Sequence, residues 1–204
     1  MAKCKYCRRS GATLKPTGKM SYFCGFECFK NEGVKQLEKA ERLRVKNENK
    51  ERIKEKKDFY SRDITWQHKT CKVAFNKSRV LQELKWFREH GLEPECISCG
   101  KKNMDWCCGH FKTVGSSGVL RYSRLNTFLQ CNKYCNMSLS GNISGNKNTR
   151  GYLKGLIERF GQNKGQRIID LCDKRQHSVK RWSCEEVELI KNNSLSISRL
   201  IGRS

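Results

Sequence analysis

The apolar positions of this chain fall into three kinds of pattern. In "ITWQHKTCKVAFNKSRVLQELKWFREHG", Trp66, Val73, Val80 and Phe87 recur every seven residues with Leu84 between them, which predicts an amphipathic helix packed on a core. Gly91 is placed to cap that helix and Pro94 to stop the chain from continuing it. Near the C-terminus, Tyr152, Leu153, Leu156, Ile157 and Phe160 share one helical face that Gly161 closes, and "RIIDLC" follows. Ser183 with Glu186 three residues later has the form of a capping box opening one more helix.

Between Phe29 and about Lys57 the pattern changes. "KNEGVKQLEKAERLRVKNENKERIKEKK" is rich in helix formers with Glu and Lys at helical spacing, but Val34, Leu37, Leu43, Val45 and Ile53 hold no heptad. It reads as a solvated basic helix that either follows a phosphate backbone or only spaces two modules. Residues 96 to 142 carry the candidate chemistry.

Composition sharpens this picture. Only 36% of the residues are hydrophobic and 31% are charged, which predicts small cores that need another source of stability. Lys and Arg outnumber Asp and Glu by 43 to 20, and a net charge of +23 calls for a polyanion; nucleic acid is the first choice. No long apolar run or lipidation motif is present, so a membrane partner is not expected and a cytoplasmic protein is.

The 13 cysteines fall mostly in close pairs, the usage expected of metal ligands in a reducing compartment. Cys4 and Cys7 with Cys24 and Cys28 form one candidate zinc knuckle; Cys96 and Cys99 with Cys131 and Cys135 form a second. About two structural Zn²⁺ ions per chain are therefore expected. Cys71, Cys172 and Cys184 stand alone and read as small buried hydrophobes, and His68 and His90 as polar-face or helix-end residues. In "WCCGHFK", either His110 joins a Cys/His zinc shell, or four cysteines saturate the metal and leave His110 for other work. Cys107 and Cys108 are either core residues or part of the zinc shell. Basic residues gather around this segment, among them Lys101, Lys102, Lys112, Arg121, Arg124, Lys133 and Lys147. Glycine loops at 115–118 and 141–145 would let backbone approach phosphate.

The order of a histidine after a CxxC, an asparagine before a second cysteine pair and Asn136 after its last cysteine resembles HNH nucleases of the ββα-metal type. "CISCG", "GHFK", "LRYSRLN", "LQCNKYCN", "LSGN", "YLKGLIERFG" and "RWSCEEV" are similar, over most of the chain, to the NinG/Rap recombination endonucleases of lambdoid phages; "GH", "QC" and "CN" also resemble endonuclease VII. The resemblance implies a structure-selective endonuclease acting on branched DNA such as Holliday junctions, inside a bacterial host if the chain is phage-encoded. It implies His110 as general base, Asn126 as the residue holding the histidine loop, Asn136 as an oxygen ligand to Mg²⁺ or Mn²⁺, and Arg121 as a phosphate clamp. Gly109 occupies the position where many such sites carry an acidic ligand, and Asp105 is the candidate substitute. Arg121, Lys112, Arg124 and Lys133 are the expected DNA contacts. The competing reading is a non-catalytic nucleic-acid-binding protein with two zinc modules.

The expected architecture is α+β and mostly helical: a knuckle at 1–29, a basic helical connector at 30–60, an HNH-like, zinc-bound ββα core at 61–182 and a C-terminal helical segment at 183–204. A homodimer would suit a symmetric junction.

Overall fold

The computed structural model describes residues 3–9, 22–115, 117–137, 143–146 and 149–203. Two compact units divide the chain, Met1–Phe59 and Tyr60–Ser204. In the first, Phe23 packs edge-on against Phe29 with ring centroids 5.5 Å apart, and Cys4 is fully buried. Helix α1 spans Phe26–Arg62 and starts inside the knuckle, so Cys28 lies on its first turn. No residue of α1 is buried. The solvated helix expected from its charge pattern is present, with Arg44 bonded to Glu41 one turn back. The knuckle's residues 10–21 lie outside the described set.

The second unit is built on α2, Ile64–Glu89. Asp63 caps it by accepting from the Thr65 and Trp66 amides, and its end is closed by Gly91 at φ +64° with Leu92 N–H returning to the Phe87 carbonyl. Its buried face differs from the expected stripe. Val73 is 69% exposed, while Gln67, Cys71, Ala74, Phe75, Ser78, Arg79, Glu83 and Phe87 face inward. The seven-residue spacing misled because this face carries paired polar groups. Arg79 binds Glu83 at 2.8 Å and donates to the Thr127 carbonyl at 2.8 Å and hydroxyl at 3.1 Å. Arg159 reaches the other Glu83 oxygen at 2.8 Å and lies over Trp86 and Phe87.

Strands β1 (Trp106–His110) and β2 (Thr127–Cys131) pair antiparallel, from Trp106↔Cys131 at one end to His110↔Thr127 at the other. Helix α3 (Gly151–Phe160) carries the apolar face expected for it. Gly155 is required there, because a Cβ would stand 1.8 Å from the Ile97 carbonyl oxygen. Helices α4 (Gln162–Arg175) and α5 (Cys184–Ile201) follow, and Ser183 and Glu186 form the predicted capping box. Helix α5 packs mainly on α2, inside the same compact unit as the hairpin. The core gathers Ile97, Phe111, Leu120, Phe128, Tyr152 and Leu156, each such buried side chain contributing about 1.5–3 kcal/mol. No described helix is long and apolar enough to cross a membrane.

Candidate active site on a thiol-clamped hairpin

Both predicted cysteine quartets assemble. The sulfurs of Cys4, Cys7, Cys24 and Cys28, and those of Cys96, Cys99, Cys131 and Cys135, lie within 4.8 Å of one another in each set. Separations of 3.7 Å for Cys7–Cys24 and 3.8 Å for Cys99–Cys131 match the roughly 3.8 Å edge of a tetrahedron with 2.3 Å Zn–S bonds. Each quartet could hold one zinc ion. The Cys131 amide also donates to Cys96 Sγ at 3.3 Å, a contact that favours the thiolate.

His110 and both neighbouring cysteines stand outside these sets. Cys107 donates to the Gln130 carbonyl, and burial pushes its thiol up to about 12. Burial does the same to Cys108, which faces Arg79 and Glu83. Neither offers a ready thiolate. Cys71 and Cys172 are buried and Cys184 half-buried.

The second quartet fixes one end of the hairpin. The CxxC turn is tied to α3 by Arg150, which binds Glu95 at 2.8 Å and Glu158 at 2.6 Å and donates to the Ile97 and Cys96 carbonyls. Tyr152, fully buried, donates its hydroxyl to the Gly109 carbonyl at 2.8 Å. On β1 a Cβ at Gly109 would meet Gln130 Oε1 at 2.2 Å. The packing therefore fills the position where an acidic ligand was absent from the sequence.

The other end carries His110 and Asn126. Asn126 is fully buried, and its side chain accepts from Lys112 N–H at 2.7 Å and donates to the Lys112 and Leu120 carbonyls at 2.9 and 3.2 Å. Its own carbonyl accepts from Phe111 N–H. These bonds tie the chain just after His110 to the segment that leads back into β2. His110 Nε2 lies 3.1 Å from the Arg121 carbonyl, which can only accept, so Nε2 carries the proton and the neutral ring keeps its lone pair on Nδ1. Burial first, then the charges of Lys72 and Arg121, hold the imidazole below its ordinary value against the opposing effect of the carbonyl. It is thus neutral near pH 7.

The remaining candidates sit elsewhere. Asp105 is exposed beyond the quartet end of β1, and its carbonyl accepts from Asn132 N–H at 2.9 Å. Asn132–Asn136 forms one wide turn closed by Met137 N–H to the Asn132 carbonyl, where the ββα comparison calls for a helix. Asn136, exposed and next to Cys135, donates to Asn132 Oδ1 at 3.4 Å. Asp105 and Asn136 are thus linked through Asn132 at the quartet end. His110 is four ladder steps away, about 13 Å along the strand, and no described residue bonds it to either. Among the described residues, no group of three or more His, Cys, Asp or Glu side chains includes His110, so no carboxylate shell for Mg²⁺ or Mn²⁺ is formed there.

The basic residues also divide. Lys112 is mostly buried, pairs with Asp173 and lies over the Phe111 ring, so its ammonium is not offered outward. Lys102 pairs with Glu93 and Lys101 lies over Tyr134. Arg124 and Lys133 are exposed, whereas Arg121 is half-buried with a buried Nε that has no hydrogen-bond partner. Lys147 and part of the 141–145 loop lie outside the described residues. His68, expected only as a polar-face residue, lies beside this end of the hairpin with Nδ1 2.9 Å from the Tyr122 hydroxyl; nothing in its sequence neighbourhood signals that contact.

Comparison with known proteins agrees with the NinG part of the resemblance given by the motifs. A family model described as bacteriophage lambda NinG protein matches residues 1–203. The chain is 33% identical over 107 residues to protein ninG of Escherichia phage lambda and to protein ninG of Salmonella phage P22, covering 52% of this chain and 47% of each relative. It therefore spans about half the length of these curated relatives. No solved structure matches it.

Proposed function

The chain belongs to the NinG family of lambdoid phage proteins, and from that premise we propose that it is a zinc-stabilised endonuclease that hydrolyses phosphodiesters in branched DNA such as Holliday junctions. The observation that carries this reading is the state of His110: outside the thiol quartet, neutral, locked in one tautomer, and presented at the unclamped end of the hairpin. Nδ1 of His110 takes a proton from water, the resulting hydroxide attacks phosphorus, and the P–O3′ bond breaks, the departing 3′ oxygen taking a proton from solvent, to leave 5′-phosphate and 3′-hydroxyl ends. Asn126 holds the loop that sets the imidazole's position, and two zinc ions stabilise the quartets. When bound, Mg²⁺ or Mn²⁺ would supply positive charge to the phosphate and departing oxygen; Asn136 and Asp105, at the quartet end of the hairpin, do not reach His110 to hold that ion beside it.

That no cluster of carboxylate ligands among the described residues includes His110 favours one second reading, a binding protein that holds branched DNA without cutting it. One assay separates the two. The intact chain, loaded with zinc, is incubated with a synthetic four-way junction across a Mg²⁺ and Mn²⁺ titration. Nicked strands that disappear in His110→Ala, with junction binding retained, support the nuclease; binding without nicking at every metal concentration selects the second reading.

A further inference from the structure

Helix α2 brings a second imidazole to the His110 end of the hairpin. His68 Nδ1 lies 2.9 Å from the Tyr122 hydroxyl, and the two rings stack with centroids 5.9 Å apart. Trp182 packs edge-on against both, at 6.5 Å from His68 and 5.4 Å from Tyr122, and donates its indole N–H to the Gly118 carbonyl. Phe75 completes the wall at 5.4 Å from Tyr122. Tyr122 directly follows Arg121, whose carbonyl receives His110 Nε2–H. Two consecutive residues, with Cα atoms about 3.8 Å apart, therefore anchor two imidazoles from different elements.

The charges around them are unmatched. Arg79, Lys112, Arg150 and Arg159 in the same unit are all paired with carboxylates. Lys72, one helical turn beyond His68 and exposed, and Arg121 form no ion pair among the described residues, and Arg121 Nε is buried without a hydrogen-bond partner. Burial and then the Arg121 charge hold His68 below its ordinary value, while burial and then Lys72 and Arg121 do so for His110. Arg121 thus acts on both rings, and Lys72 on His110. Two cations without carboxylate partners, one of them with a buried guanidinium N–H left over, favour an anionic group at this end of the hairpin.

We propose that His68, Lys72 and Arg121 form a phosphate cradle, contributed largely by α2, that grips a DNA backbone phosphate beside His110. The inference rests on the endonuclease reading for its substrate but not for its test. Lys72 and Arg121 neutralise the phosphate; with the Tyr122 hydroxyl donating to His68 Nδ1, the neutral His68 ring keeps its proton on Nε2 and donates it to a phosphate oxygen.

The test is equilibrium binding of a fluorescein-labelled four-way junction by the intact, zinc-loaded chain in EDTA-free buffer without Mg²⁺, over a salt series. Lys72→Ala and Arg121→Ala should each flatten the slope of log K against log salt by about 0.9, and Lys72→Arg should restore it. His68→Ala and Tyr122→Phe should weaken binding on the order of two- to tenfold with the slope unchanged, because a neutral donor releases no counterion. Lys72 is exposed, so its variants test the idea even if Arg121→Ala misfolds. Wild-type slopes in Lys72→Ala and Lys72→Glu overturn the cradle. A chain that shows these slope changes but never nicks DNA keeps the cradle and loses the endonuclease; one that nicks with slopes unmoved does the reverse.

Discussion

The two thiol quartets have the same ligands and contrasting surroundings. The N-terminal one has Phe23 and Phe29 for company, and the helix leaving it buries nothing, so a zinc ion, which its four sulfurs could hold, would there stand in for a core. The central one has three of its four cysteines buried against Met104 and Trp106, in the unit that also contains the main hydrophobic cluster. The same chemistry makes a fold possible in one place and fixes the geometry of a fold in the other.

This contrast can be broken by experiment, most forcefully through the metal. Stripping zinc should melt the first unit outright, since structural zinc contributes on the order of 10 kcal/mol to such small modules, while the second unit should keep most of its helical signal and lose its cooperative melt. Circular dichroism during chelator titration reads both, and simultaneous loss of the two signals would erase the distinction. Cleavage should respond next: His110→Ala should lower the nicking rate on the order of 10²–10⁴-fold with zinc content unchanged, measured by single-turnover assay and elemental analysis. Asn126→Ala should cost about 2–4 kcal/mol in urea denaturation, because it abandons buried Lys112 and Leu120 backbone groups. Gly109→Ala should cost about 1–3 kcal/mol by crowding Gln130, with only partial recovery in a Gln130→Ala background, which removes Oε1 and Cδ but keeps the Cβ 2.7 Å away.

The smallest effect is in the pH profile. Because burial lowers His110, it stays neutral after the unfolded imidazole has begun to take up a proton. Its share of stability is complete above pH of about 6.5 and is lost as pH falls toward the lowered folded value. Nicking should fall over that same acid limb, at a pH below that of a solvent-exposed histidine. A rate limb at the ordinary histidine value would argue for another base.

Much of this was legible in the residues. Cysteine spacing announces both quartets, since four soft ligands in two close pairs have few other uses; the capping box and Gly91 announce helix ends by chemistry local to a few residues. The loop-holding role expected of Asn126 has matching bonds. What escaped was set by distant partners. Arg79 and Glu83 look like surface residues until Arg159 and Thr127 arrive, and Lys112 looks free until Asp173 does. A histidine such as His68 takes its meaning from Tyr122, 54 positions along the chain. Proximity of Asn136 to a cysteine in sequence likewise fixes its distance from the quartet and leaves open its distance from His110.

Arg79 deserves a mechanical reading. It is anchored in the middle of α2 and grips Thr127 by both carbonyl and hydroxyl, and Thr127 is the cross-strand partner of His110. The guanidinium thereby works as a pawl on the ladder: a slip of one residue would turn every side chain of the hairpin to the opposite face and take the imidazole with it. Any axial travel of α2 is transmitted to the same strand end, so a load applied to that helix by a bound polymer would be felt first at the imidazole.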